Sequence, residues 1–199
     1  MEDRKHFYEL LTSENIVCAS MISSRDTLLD EMLKLLKRHH PALDLDEAAA
    51  EVTAREALFP TVVAPGLAVP HARICGLKEP LLALVCTPNG ADFRSELGDV
   101  KVTILLLTPV EEPDLHLQML SEIARTFGAP AMIDKVAACA ASEQVLKLFS
   151  SNGQDIENCL TAGDLIDTPS AILRETGSLS GAIRAFATTG SVELVVPDR

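Results

Sequence analysis

The sequence predicts an α/β fold with a mixed central β-sheet flanked by helices, followed by a small βαβ appendage. Residues 81–86 and 102–107 are uninterrupted apolar runs, the pattern of strands covered on both faces. Segments with apolar residues at helical spacing lie around them, and strands interleaved with helices point to α/β. The composition agrees: 47% of the 199 residues are hydrophobic, yet there are only six Phe, one Tyr and no Trp. The core is therefore aliphatic, as where helices pack on a sheet.

Residues 16–19 read as a short strand. Ser23-Ser24-Arg25-Asp26 supplies an N-cap with acid in the first turn, and Leu28, Leu29, Met32, Leu35 and Leu36 form one apolar stripe of a helix. Lys37, Arg38, His39 and His40 suit its C-terminal dipole, and Pro41 stops it. An Ala- and Glu-rich helix over 46–58 comes next. Pro60, Pro65 and Gly66 break the pattern before Leu67-Ala68-Val69-Pro70-His71, which places His71 on a loop. Pro88-Asn89-Gly90 and Gly98-Asp99 read as turns between the two apolar strands. Pro113-Asp114 opens a helix with Leu120, Ile123, Ala124 and Phe127 on its apolar face, closed by Gly128 and Pro130. Short helices are expected near 131–138 and 142–149. The polar, breaker-rich stretch 150–155 marks a boundary, giving a domain over 1–150, a linker over 151–160 and a segment over 161–199. In that segment strands are expected at 170–174 and 192–196, with a helix over 178–189.

Seventeen basic against 29 acidic residues give a net charge of -12, and residues 1–150 alone hold 14 basic and 22 acidic residues, a net of -8. No basic patch offers a nucleic-acid footprint. No apolar run is long enough to span a membrane, and the N-terminus leads into no signal-type stretch, so a cytoplasmic protein is expected. The five cysteines are widely spaced with no CxxC, as for reduced thiols in a cytosol.

His6, His39 and His40 suggest no chemistry. His71 differs, because Pro70 fixes the backbone just before it and Gly66 allows close approach of another molecule. His116 stands at a helix start, where free N–H groups and the dipole favour an anion. No spacing of metal-ligand type occurs, and neither a metal nor another cofactor is expected.

Residues 56–72 resemble the active-site signature of the fructose/mannitol-type enzyme IIA domains of the sugar phosphotransferase system, a group that includes the nitrogen-regulatory IIA proteins. Arg55-Glu56, Thr61 and Gly66-Leu67-Ala68-Val69-Pro70-His71 carry the likeness. The family's second histidine, opening a helix of the form His-Leu-x-x-Leu-x-x-Ile-Ala, is matched by His116 to Ala124. The similarity covers residues 8–150. It implies a phosphohistidine carrier that takes a phosphoryl group on His71 from an HPr-type donor, with Arg55, His116 and Thr61 stabilising that group. A neutral imidazole attacks phosphorus without a base to deprotonate it. The implied acceptor is an enzyme IIB-type protein, or a transporter or kinase regulated by the phosphorylation state without sugar phosphorylation. Arg73 reads as a surface arginine, and which nitrogen of His71 reacts is left open. The segment 161–199 resembles the first half of a CBS module, too little to bind a nucleotide.

Overall fold

A computed structural model describes residues 6–156. Its one sheet holds β1 (Ile16–Val17), β2 (Val62–Ala64), β3 (Leu67–Ala68), β4 (His71–Ile74), β5 (Leu81–Ala91) and β6 (Val100–Pro109). The order is β1-β5-β6-β3-β2, with β4 also on β6. β5 and β6 are antiparallel, with Leu84 opposite Ile104; β1 runs parallel to β5, and β3 and β4 run parallel to β6. β3 and β4 occupy successive stretches of one β6 edge, Leu67 opposite Val102 and His71 opposite Leu106. Pro70 interrupts them because it has no N–H to give the ladder. Its carbonyl still accepts from the Leu106 N–H at 2.9 Å.

Strand alternation divides the apolar runs between two cores. Leu82, Leu84, Cys86, Val102, Ile104 and Leu106 face α3 (Pro113–Thr126), α4 (Pro130–Ala137) and α5 (Ser142–Ile156). Leu81, Ala83, Val85, Leu105 and Leu107 face α1 (Arg25–His39) and α2 (Leu45–Leu58). The runs look uniformly apolar in sequence because helices cover both faces. The expected α/β architecture with a mixed, helix-flanked sheet is thus observed. The described residues up to Asn152 form one compact unit.

Four local expectations differ from what the structure shows. β5 continues through Pro88-Asn89-Gly90, where a turn was expected. The ladder shifts register between Cys86 and Ala91 instead, and Gly90 sits at φ +82°, where a Cβ would lie 2.6 Å from Asp99. His71 heads a strand and is not on a loop, because the Pro65-Gly66 turn, with Gly66 at φ +86°, folds β2 onto β3 and delivers the chain to β6. α3 buries Met119, Glu122 and Ile123, whereas Ala124 is exposed. The Glu122 carboxylate accepts from the Phe7 N–H at 3.0 Å and meets His6 Nδ1 at 3.0 Å, so a polar anchor sets the rotation of this helix. Finally, α5 runs on through the stretch at 150–155 read as a break, and the Ser150 hydroxyl satisfies itself on the Leu146 carbonyl at 2.9 Å.

The strands expected at 170–174 and 192–196, the helix at 178–189 and the CBS-like segment 161–199 lie outside the described residues. Among the described residues no helix is long and apolar enough to cross a membrane.

The last turn of α2 carries Arg55 and Glu56. Asp44 caps its N-terminus, accepting from the N–H groups of Asp46 and Glu47. Asp44→Ala should lower the unfolding free energy by about 1 kcal/mol. Denaturant melts with coincident midpoints for the two proteins would contradict that capping role.

Candidate functional site

The end of α2 and the start of β4 bring Arg55 and His71 together. Arg55 Nε–H donates to His71 Nε2 at 3.1 Å, and its Nη1 donates to the Phe59 carbonyl at 3.0 Å. On the other side of the ring, His71 Nδ1 lies 2.8 Å from the Val69 carbonyl oxygen. A carbonyl only accepts and a guanidinium only donates. The two partners therefore assign the tautomer: the proton is on Nδ1 and the lone pair is on Nε2. Burial holds the His71 pKa below its ordinary 6.5, and Arg55 pushes the same way against the Val69 hydrogen bond and Glu56.

His116 enters from the first turn of α3. The two imidazole centroids are 5.3 Å apart with the rings tilted by 58°. Thr108 Oγ1 meets His116 Nδ1 at 2.7 Å. Burial, then the neighbouring His71, Arg73 and Arg55, push the His116 pKa down to about 4. Both rings are consequently neutral at pH 7, and the fixed positive charge of the site comes from arginine.

Arg55, His71, Arg73 and His116 line one open cavity of about 790 Å³. Glu47 and Glu51 stand on its rim, with Glu47 held by the Cys75 N–H at 3.1 Å. Leu58 and Leu117, 72% and 62% exposed, give that rim an apolar margin of the kind that meets another protein.

Thr61 is placed differently. It is 2% exposed, its hydroxyl donates to Glu56 at 2.6 Å, and its N–H reaches the other Glu56 oxygen at 3.3 Å. Its carbonyl accepts from the Val69 N–H at 2.9 Å. Thr61 thus orients the chain that carries Val69 and gives no hydroxyl to the cavity. Glu56, 5% exposed, also meets Arg25 at 3.8 Å. Of the residues singled out from sequence, the structure brings His71, Arg55 and His116 into one cavity and leaves Thr61 behind it. Sequence reasoning missed two residues: Arg73, read as a surface arginine, lines the cavity, and Thr108 touches His116. The only sequence signal for Thr108 was a hydroxyl residue closing an apolar strand. His6 and His39 engage Glu122 and Glu14 and do not line the cavity. Among the described residues no three of His, Cys, Asp and Glu are placed to hold a metal ion.

A neutral imidazole with an aimed lone pair, set among guanidinium groups, has the chemistry needed to accept an anionic group on histidine. Residues 9–152 match the family described as "Phosphoenolpyruvate-dependent sugar phosphotransferase system, EIIA 2", and the chain belongs to that family of phosphohistidine carriers. It is 27% identical over 134 residues to the "Nitrogen regulatory protein" of Pseudomonas aeruginosa, covering 66% of this chain and 87% of that one. The crystal structure of the nitrogen regulatory protein IIA-Ntr from Neisseria meningitidis superposes with a TM-score of 0.65 at 28% identity, covering 70% of this chain and 96% of that one. The mannitol enzyme IIA of Escherichia coli, solved in complex with phosphorylated enzyme IIB, shares the fold at a TM-score of 0.60 and 17% identity. That likeness covers 71% of this chain and 97% of the other.

The lowered histidine pKa values set a pH dependence. An unfolded chain takes up protons on these rings near pH 6.5, whereas the folded chain does not. The unfolding free energy should therefore fall as pH drops below 6.5, with the His116 contribution persisting down to about pH 4. In NMR titrations His71 should have a midpoint below 6.5 and His116 one near 4. A His116 midpoint at or above 6.5 would contradict its burial beside two arginines.

Proposed function

We propose that Nε2 of His71 is the phosphoryl acceptor of this carrier, and that an HPr-type protein is the donor. The hydrogen bond between Nδ1–H and the Val69 carbonyl carries this reading, since it leaves Nε2 with the lone pair inside a cavity lined by Arg55 and Arg73. In the transfer a bond forms between Nε2 and phosphorus while the donor's N–P bond breaks. The electron pair of that bond returns to the donor's ring nitrogen. No proton has to leave His71, because Nδ1 keeps its own, and the Val69 carbonyl stabilises the positive charge that develops on the ring.

Arg55 acts twice. At rest its Nε–H occupies the lone pair of Nε2. For transfer it releases that nitrogen and turns to the phosphoryl oxygens, where charge-assisted hydrogen bonds are strongest. His116 assists from the second side, and Thr61 serves through Glu56 and Val69. The acidic balance of residues 1–150 suits a donor with a basic face, and the apolar margin at Leu58 and Leu117 provides contact area.

Onward transfer goes to an enzyme IIB-type acceptor, a reading supported by the fold shared with a mannitol enzyme IIA that was solved with its IIB partner. The likeness to nitrogen regulatory proteins favours a second use, in which the charge on His71 gates binding to a transporter or kinase in the cytoplasm. Residues 1–150 are proposed as the carrier unit, followed by an appendage over 161–199; the linker expected at 151–160 begins within the last turns of α5, which ends at Ile156. The half-CBS likeness of that appendage gains no support from the family match, which ends at residue 152.

With an HPr-type donor, the kinase that charges it and phosphoenolpyruvate present, His71→Ala should take up no phosphoryl label. Arg55→Gln should slow labelling by about 10²–10³-fold, as expected for loss of a preorganised donor to the transferring group. Mass analysis and single-turnover rates decide both. Full labelling of the His71 variant, or unaltered rates for the Arg55 variant, would overturn the assignment.

A further inference from the structure

Thr108 is the penultimate residue of β6, fully buried, and pairs in register with Arg73 of β4. Among the described residues its hydroxyl has one hydrogen-bond partner, Nδ1 of His116 at 2.7 Å. A hydroxyl and a neutral imidazole can each donate or accept, so two proton arrangements fit this contact. In one the hydroxyl donates to Nδ1, and the ring proton resides on Nε2. In the other Nδ1–H donates to the hydroxyl, whose own hydrogen is then buried without an acceptor. Buried donors are almost always paired, because an orphan forfeits its hydration with nothing in return. Only the first arrangement leaves no buried hydrogen unpaired, because the His116 ring lines the open cavity.

We infer that Thr108 is a positioning residue that fixes the tautomer of His116, keeping a proton on Nε2 so that the ring presents a donor to an anion on His71. The two histidines are then held in opposite tautomers. The Val69 carbonyl keeps the His71 proton on Nδ1 and frees Nε2 to attack. The Thr108 hydroxyl occupies Nδ1 of His116 and leaves its Nε2–H to donate. This distinction matters because His116 is neutral at pH 7, so it donates through its tautomer and not through an extra proton. The reverse tautomer would turn a lone pair towards the phosphoryl oxygens, a repulsive contact where charge is being transferred. With centroids 5.3 Å apart, a group bound to His71 lies within reach of the His116 ring.

The kinetic consequence rests on His71 being the phosphoryl acceptor; the tautomer assignment does not. The test combines long-range ¹H–¹⁵N correlation spectra of His116 at pH 7 with single-turnover transfer from an HPr-type donor, using wild type, Thr108→Val and Thr108→Ser. Wild type should show Nε2 protonated and Nδ1 unprotonated. Thr108→Val should lose Nε2–H population and transfer about three- to tenfold more slowly, the effect of one net hydrogen bond. That loss should fall on the transfer rate and leave the donor's apparent affinity unchanged. Thr108→Ser should restore both readouts. A wild-type His116 protonated on Nδ1, or a Thr108→Val protein with unchanged tautomer and rate, would overturn the inference. If the valine variant fails to fold, the wild-type spectrum and the serine variant still decide. Absence of phosphoryl transfer in wild type, with the tautomer as inferred, would instead remove the acceptor role of His71 and leave the role of Thr108 standing.

Discussion

The hydrogen bond between the His71 imidazole and the Val69 carbonyl, 2.8 Å long, is the constraint on which the rest of the site depends. It spans only two residues, so it needs a backbone that presents that carbonyl to the ring. Pro70 supplies part of the answer by fixing its own φ and keeping Val69 extended. The remainder is long-range. The Val69 N–H is held by the Thr61 carbonyl, Thr61 is held by buried Glu56, and Glu56 follows Arg55 on α2. Glu56, which holds Thr61 and through it Val69, and Arg55, which meets the His71 ring, therefore share one turn of one helix. Movement of α2 would disturb both together.

Charge is arranged with the same economy. The protein is acidic as a whole, yet its cavity gathers two arginines and two histidines. Burial keeps both rings neutral; in the proposed transfer this preserves a nucleophile on His71 and a tautomer-defined donor on His116. Arginine cannot lose its proton, so the cationic component persists at any physiological pH. Resting repulsion between the two guanidinium groups and a charged imidazole is thereby avoided. In the proposed transfer a phosphoryl group of about two negative charges meets the arginines at full strength.

Legibility in the sequence followed the range of the interactions involved. His71, Arg55 and His116 were readable because a Pro-His core, an Arg-Glu pair and a histidine opening a helix are local patterns. α1 was readable from its leucine spacing, and β5 and β6 from their apolar runs. Arg73 and Thr108 were hidden because their meeting depends on the register of β4 against β6, which no local pattern fixes. The short strands β2 to β4 were obscured by Pro60, Pro65 and Gly66, which here direct the chain along the β6 edge. The buried face of α3 was legible at Ile123 and Phe127 but not at its edge, where a carboxylate, Glu122, holds a core position through the Phe7 amide and Ala124 is exposed. Apolar periodicity alone has no way to register that.

The central claim, that partners on both sides of the ring place the reactive lone pair of His71 on Nε2, has a direct measurement. Phosphorylated, ¹⁵N-labelled protein gives a phosphorus–nitrogen coupling that identifies the bonded ring nitrogen. The coupling should be to Nε2, with Nδ1 still protonated and exchanging slowly behind its bond to Val69. A phosphorus bonded to Nδ1 would contradict the account, because that nitrogen faces the Val69 carbonyl and has no lone pair to give.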